Sequence, residues 1–190
     1  MEGRADRESK RTTILLAVLH VIAARGIGAV SIRSVAAEAG VSVGRVQHYF
    51  VSKRELIRAT TAFMISAAEA RHFDTGTPRS VADDLWEVLT HSIPLAAESP
   101  AGTSVFYSLV AASVADAELA AILSEAEAGV QDLIASQLTE LVPGLSDPQA
   151  GARNLLALSD GLTLQVLIGH LTADQAHAIL RAALDTYMNS

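Results

Sequence analysis

The sequence predicts an all-α fold of about nine helices, and three observations lead to that prediction. Apolar residues recur at intervals of three and four along most of the chain. No segment sustains the alternation of apolar and polar residues that a half-buried strand requires. Residues that cap helix N-termini precede the apolar runs, and glycine or proline follows them. We therefore predict an N-terminal three-helix domain followed by a larger helical body.

The first three helices are predicted at about 6–25, 32–39 and 42–49. Gly26 ends the first, because glycine tolerates the left-handed backbone that often closes a helix. Ser42 begins the third, since its hydroxyl accepts a hydrogen bond from an otherwise unpaired backbone N–H. The first of these helices is long and the other two are short, so three helices fit within about fifty residues.

Six longer helices follow. Ser52 and Glu55 form the pattern of a capping box at the start of the fourth helix, and Pro94 predicts a kink in the fifth. Thr172 and Gln175 form a similar cap at the start of the last helix. The predicted ranges are 53–73, 80–97, 100–114, 116–141, 147–169 and 172–188.

The charge of the chain is unevenly distributed. Residues 1–58 carry a net charge of +5, whereas residues 59–190 carry −12. A basic segment in an acidic protein is typical of a localised surface for a polyanion such as nucleic acid. The highly charged N-terminus fits neither a signal peptide nor a membrane span, and the absence of cysteine suits a reducing compartment. We therefore expect a soluble cytoplasmic protein.

Residues 30–50 read as a helix, a glycine turn and a second helix, which is the pattern of a helix-turn-helix. Gly40 permits the left-handed backbone of the turn. Val46 and Phe50 are four residues apart and face the core together, so the remaining side chains of the second helix face solvent. Exposed arginine and glutamine can read base edges in the major groove. We predict contacts to double-stranded DNA from Ser31, Arg33, Ser42, Val43, Gly44, Arg45, Gln47, His48, Tyr49 and Lys53.

The same segment resembles the DNA-binding domain of the tetracycline-repressor (TetR) family of regulators. The family pattern is met at Ser31 to Ala36, at Ala39 to Val46 and at Phe50 to Leu56. Gln47 departs from it, because the family usually has a phosphate-contacting tyrosine at that position. The resemblance therefore implies operator binding but does not extend to the operator sequence.

The resemblance also implies a division of labour along the chain, with DNA binding by residues 1–52 and effector binding and dimerisation by residues 53–190. Residues 158–162 resemble the branch that includes choline-responsive (BetI-like) repressors. The middle helices of the family enclose an effector cavity, and the last two form a dimer interface. The implied effector contacts are Phe63, Trp86, His91, Phe106, Tyr107, Asp160 and Gln165. The implied homodimer contacts are Leu155, Leu158, Leu162, Val166, Ile179, Leu180, Ala183, Leu184 and Tyr187.

We expect a transcriptional regulator, namely a repressor that a small-molecule effector releases from a palindromic operator, and not an enzyme. The chain has no nucleophile signature, no histidine spacing typical of a metal site and no cofactor-binding loop, so neither a metal nor a cofactor is expected. One alternative is a small-molecule carrier or enzyme with a vestigial helix-turn-helix. Another is an architectural DNA-binding protein without an effector.

Overall fold

The structure is a computed structural model, and it describes residues 2–73, 79–94 and 100–188. Those ranges contain nine α-helices, one short 3₁₀ turn at Ile27–Ala29 and no strand, which confirms the all-α prediction. None of the helices described is long and apolar enough to cross a lipid bilayer. The helices are α1 (Glu2–Arg25), α2 (Ile32–Glu38), α3 (Val43–Tyr49), α4 (Lys53–Phe73), α5 (Val81–Thr90), α6 (Pro100–Ser113), α7 (Ala117–Leu141), α8 (Pro148–Leu167) and α9 (Ala173–Met188).

Packing divides the chain into two compact units, each with its own apolar core. The first unit consists of Met1–Thr75 and Ser104–Ser124, and the second of Gly76–Thr103 and Glu125–Ser190. These units are defined by packing, whereas the boundary predicted after residue 52 is one of function and stays a prediction.

The core of the first unit is built on α1. Apolar residues spaced three or four apart on this helix are buried, with Ile14, Leu15 and Val18 fully enclosed and Ile22 nearly so. α1 packs against α2 and α4, and α2 packs against α3. The first helix thus supports the two short helices from one side, and the short helices keep their other side in solvent.

The core of the second unit is formed by α5, α8 and α9 together with the part of α7 that belongs to this unit. Asp147 caps α8 by accepting the backbone N–H of Ala150 at 2.8 Å. The buried Ser159 donates its hydroxyl to the carbonyl oxygen of Leu89 at 2.6 Å, so a hydrogen bond joins α8 to α5 inside the core. The largest fully buried side chains of this unit are Leu85, Leu89, Ile134, Leu138, Leu155 and Leu180.

The fifth helix is shorter than the sequence predicts. α5 ends at Thr90, with His91 at its C-terminal cap, and does not continue with a kink at Pro94. Proline has no N–H to donate and its ring collides with the carbonyl four residues earlier, which here belongs to Thr90. Pro94 therefore terminates the helix, and positions 95–97 of the predicted range lie outside the described residues.

Candidate functional site

The helix-turn-helix closes through backbone hydrogen bonds at Gly40. Its φ angle is 65°, in the left-handed region that favours glycine. The N–H of Val41 donates to the carbonyl of Ala36 at 3.0 Å, and that of Gly40 donates to Ala37 at 3.3 Å. This pair of bonds is the Schellman closure of a helix C-terminus, and it turns the chain sharply from α2 into α3.

Serine caps fix the start of both short helices. The hydroxyl of Ser31 accepts the backbone N–H of Ser34 at 3.0 Å, and the hydroxyl of Ser34 accepts the N–H of Ser31 at 2.9 Å. Ser42 accepts the N–H of Arg45 at 3.2 Å. The two predicted contacts Ser31 and Ser42 are exposed, but their hydroxyls already pair with helix amides. Their first role in this geometry is to hold α2 and α3 in place.

The turn into α4 differs slightly from the predicted capping box. Ser52 accepts the N–H of Glu55 at 3.1 Å, but the Glu55 carboxylate reaches back to the N–H of Val51, at 2.7 Å, rather than to that of Ser52. The exposed Lys53 donates its ammonium to the carbonyl oxygens of the 3₁₀ turn before α2, Ile27 at 3.3 Å and Gly28 at 3.5 Å. Lys53 therefore joins the start of α4 to the entrance of the helix-turn-helix.

The second short helix presents a polar face to solvent. Val46 and Phe50 are buried in the first unit's core, where the sequence places them. The side chains that this arrangement leaves exposed on α3 are those of Val43, Arg45, Gln47 and His48, while Gly44 adds no bulk and Tyr49 is half-buried. Arg33 is exposed on α2. The predicted base-reading set therefore lies on one uninterrupted solvent face, with a small residue at its centre.

A groove of about 410 Å³ lies beside α3, and its lining was not predicted in full. It is lined by Arg7, Glu8, Arg11, His48 and Tyr49. The sequence prediction starts the first helix at residue 6, but α1 begins at Glu2 and carries Arg7 and Arg11 on regular helical backbone. The sequence does carry a signal for this lining, because Arg7 and Arg11 are four residues apart and lie just before the buried apolar residues of α1.

The predicted effector residues of the first unit are aromatic and half-buried. Phe63 packs against the core of this unit. Phe106 and Tyr107 meet edge to face, with ring centres 5.8 Å apart. Together they supply apolar surface that is neither fully enclosed nor fully in water, as a ligand-lining side chain needs to be.

The predicted effector residues of the second unit include a stacked tryptophan. The guanidinium carbon of Arg181 lies 3.5 Å from the centre of the Trp86 ring, and the His177 ring meets Trp86 edge on at 5.7 Å. His91 is exposed, and its Nδ1 lies 3.0 Å from the Val88 carbonyl oxygen at the end of α5. His91 therefore closes a helix end, whereas Trp86 joins α5 to α9.

Two carboxyl groups in the second unit have raised pKa values. Burial raises the pKa of Asp160 on α8. Burial and then the charge of Asp160 raise the pKa of Glu127 on α7. Gln165, the remaining predicted contact, is half-buried on the same helix as Asp160. Negative charge held in partly buried surroundings is stabilised by any cation that approaches it.

The second unit also contains buried polar atoms that the sequence did not indicate. Gln137 Oε1 on α7, Thr163 Oγ1 on α8 and His177 Nε2 on α9 have no hydrogen-bond partner within the described part of the chain. Buried polar atoms normally pair with protein, water or a ligand. These three atoms are therefore candidates for polar ligand contacts in this unit.

The predicted dimer residues divide into core and surface. Leu155, Leu162, Leu180 and Leu184 are buried in the second unit itself, so their apolar surface is already covered within one chain. Those that remain partly or largely accessible are Leu158, Val166, Ile179, Ala183 and Tyr187. The larger exposed apolar side chains on α8 and α9 are Leu164, Ile168, Ile179 and Met188.

Two protein-family descriptions match this chain, one at each end. "Bacterial regulatory proteins, tetR family" matches residues 14–60, and "BetI-type transcriptional repressor, C-terminal" matches residues 81–189. The first match covers α2, α3 and the turn between them. The second covers most of the remaining chain and agrees with the resemblance noted at residues 158–162.

Similar proteins and structures agree with these matches. The HTH-type transcriptional regulator PksA of Bacillus subtilis strain 168 is 29% identical over 179 residues, which cover 88% of this chain and 83% of PksA. The crystal structure of a TetR-family regulator from Rhodococcus sp. superposes with a TM-score of 0.82 at 27% identity and covers 95% of this chain and 99% of its own. The multidrug binding protein EbrR, complexed with ethidium, superposes with a TM-score of 0.71 at 27% identity and covers 92% and 98%.

Proposed function

This chain belongs to the TetR family of transcriptional regulators, and we propose that it is a homodimeric cytoplasmic repressor that an organic cation releases from a palindromic operator. The observation that carries the proposal is the solvent face of α3, where Arg45, Gln47 and His48 stand exposed on a helix that is packed from behind. A recognition helix needs this arrangement, because its base-reading side chains enter the major groove while the rest of the domain holds it there.

Each residue type on α3 suits a distinct part of the contact. Arg45 matches the two acceptors of guanine, and Gln47 matches the donor and acceptor of adenine. The apolar side chain of Val43 suits contact with the methyl group of thymine, and Gly44 lets the helix approach the bases closely. Lys53 and the caps at Ser31 and Ser42 position α3 against the sugar-phosphate backbone of the DNA.

A homodimer places two such helices on one operator. The support for it is apolar surface on α8 and α9 that one chain leaves uncovered: Leu164 is 47% exposed, Ile168 70% and Ile179 43%. Leu164 lies on the last turn of α8, and Ile168 is the C-terminal cap residue that directly follows the helix. We place the centre of the interface on these residues rather than on the buried leucines, since a buried side chain has no surface to offer a second copy.

The effector is proposed to be an organic cation because of the acidic groups in the second unit. Burial raises the pKa of Asp160 and of Glu127 because it disfavours their charged forms, and a cation bound beside them would favour those forms. EbrR, which is similar in sequence and fold, binds ethidium, and ethidium is an organic cation.

Release follows from linkage between the two sites. If the effector favours a conformation whose recognition helices no longer fit successive major grooves, operator affinity falls. If the effector lowers operator affinity by a given factor, operator binding must lower effector affinity by the same factor.

Tetraphenylphosphonium and the neutral triphenylphosphine oxide form a matched pair of probes. With operator recovered by selection, the cation is expected to weaken DNA binding and the neutral compound is not. Asp160→Asn is expected to abolish the response, while Glu140→Gln, at an exposed carboxylate of α7, is expected to preserve it. Operator binding that no cation alters would contradict the effector assignment and favour an architectural protein without an effector.

A further inference from the structure

The first helix is longer than its core contacts require. α1 begins at Glu2, and within residues 7–25, where its side chains are described, the first buried apolar one is that of Ile14. The tetR-family match also begins at residue 14, so Arg7 and Arg11 lie on α1 outside the region that the family description covers. Both arginines therefore lie on the part of α1 that precedes the matched segment, which we call the N-terminal extension of α1.

The extension is held against the recognition helix by aromatic rings. The guanidinium carbon of Arg7 lies 6.0 Å from the centre of the Tyr49 ring, and that of Arg11 lies 5.5 Å from the centre of the Phe50 ring. A spacing of four residues puts both arginines on the same face of α1. The rings orient the two guanidinium groups while the groove between them stays open to solvent.

The lining of the groove is suited to an anion. Arg7 and Arg11 supply two permanent positive charges, and His48 and Tyr49 add polar ring atoms from α3. Glu8 is the one carboxylate among the lining residues, so cations outnumber it by two to one. Guanidinium groups fit phosphate oxygens with paired hydrogen bonds, which makes arginine a common choice for contacts to a nucleic-acid backbone.

We propose that Arg7 and Arg11 bind backbone phosphates of operator DNA beside the segment that α3 reads. The inference rests on the proposed DNA binding. When α3 fills the major groove, a neighbouring helix meets the phosphates at the groove's rim rather than base edges. The contacts therefore add affinity and fix orientation without adding sequence preference.

The double variant Arg7→Gln, Arg11→Gln tests this, because glutamine keeps a polar, planar side chain and removes the charge. The plot of log affinity against log salt concentration falls with a slope whose magnitude decreases by about 0.9 for each phosphate contact that is lost. For two arginines in each of two protomers the slope is expected to fall by about 3 to 4, equally on operator and on unrelated duplex. Arg7→Lys, Arg11→Lys keeps the charge and is expected to restore most of the slope.

Arg71→Gln is the matched control. It removes one exposed charge from α4, about 27 Å along that helix from Lys53, and is expected to leave the slope unchanged. An unchanged slope in the double variant, or a change in the sequences that it selects, overturns the phosphate assignment. Arg7→Gln alone, at the more exposed arginine, is expected to give half of the change if the double variant does not fold. Absence of DNA binding by the unaltered protein would instead overturn the proposed function.

Discussion

Arg58 of α4 and Asp116 at the start of α7 form a two-point ion pair within the first unit. Arg58 Nε lies 3.1 and 3.2 Å from the two carboxylate oxygens, and Nη2 lies 2.6 Å from Oδ1. Asp116 also accepts the backbone N–H of Leu119 at 3.2 Å, which caps α7. Because α4 begins directly after the helix-turn-helix, this pair ties the base of the DNA-binding helices to the turn between α6 and α7.

Asp116→Asn is expected to destabilise the protein at neutral pH. Hydrogen bonds from Arg58 hold the pKa of Asp116 below its ordinary value of 3.8. The carboxylate's contribution is therefore complete at pH values above 3.8 and is lost as the pH falls through the lowered pKa. In urea unfolding between pH 7 and pH 3, the gap between the two proteins is expected to be constant at first and to close below pH 3.8.

Glu118→Gln serves as the comparison, because Glu118 also pairs with Arg58 but is largely exposed. Glu118→Gln is expected to lower the free energy of unfolding by less than Asp116→Asn does, since exposed ion pairs are screened by water and salt. Equal stability of the Asp116→Asn variant and the unaltered protein at pH 7 would show that the pair contributes nothing.

Phe50→Ala is expected to lower the free energy of unfolding by about 3–5 kcal/mol, because it empties a fully packed site between α1 and α3. Chemical denaturation measures the loss. The adjacent Val51→Ala, at a side chain that is almost fully exposed, is expected to stay within about 0.5 kcal/mol of the unaltered protein. Similar losses for both variants would contradict the assignment of Phe50 to the core.

The sequence predicts the helix-turn-helix in detail because its geometry depends on local chemistry. Capping serines, a left-handed glycine and apolar residues four apart each act within a few positions of the chain, so their pattern is readable without tertiary contacts. Val46, Phe50 and Gly40 accordingly take the predicted roles.

Features that depend on contacts between distant segments could not be predicted in the same way. Nothing local indicates that Asp116 meets Arg58, that Arg7 faces Tyr49, or which leucines of α8 face inward. Both faces of α8 carry apolar residues, so the 3.6-residue period marks a buried helix without separating the core side from the surface side. This is why the predicted dimer set on α8 mixes Leu155, which is buried, with Val166, which is only half-buried.

Arg45→Ala is expected to weaken binding to the selected operator about 5- to 150-fold, the equivalent of the 1–3 kcal/mol that a bidentate base contact contributes. Thermal stability is expected to be unchanged, since the side chain is exposed on α3. Fluorescence anisotropy with operators substituted at each position measures both affinity and preference. If the loss is the same on every sequence, Arg45 contacts phosphate rather than a base.

Arg181→Ala is expected to lower the free energy of unfolding by about 0.5–1 kcal/mol, because it removes an exposed cation that lies over the ring of the half-buried Trp86. Trp86 is the single tryptophan of the chain, so intrinsic fluorescence reports on this contact directly. The emission is expected to shift to longer wavelength as water reaches the ring. Arg153→Ala, an exposed arginine on α8, is expected to leave the emission unchanged.

Ile168→Asp is expected to dissociate the proposed dimer, because it places a charge among the exposed apolar side chains at the C-terminal end of α8, where Ile168 is 70% exposed. Sedimentation velocity measures the change in mass. Val114→Asp is the control, since Val114 is 90% exposed but belongs to the first unit. Dissociation by both variants, or by neither, would contradict an interface centred on α8 and α9.

Selection from a pool of random duplex DNA would show whether this chain reads a two-fold symmetric DNA sequence through α3. We expect enrichment of a palindrome whose half-sites are separated by about one helical turn of DNA or a multiple of it, with affinity falling steeply as salt rises. Recovery of no enriched sequence at low salt, or of a single unpaired half-site, would contradict it.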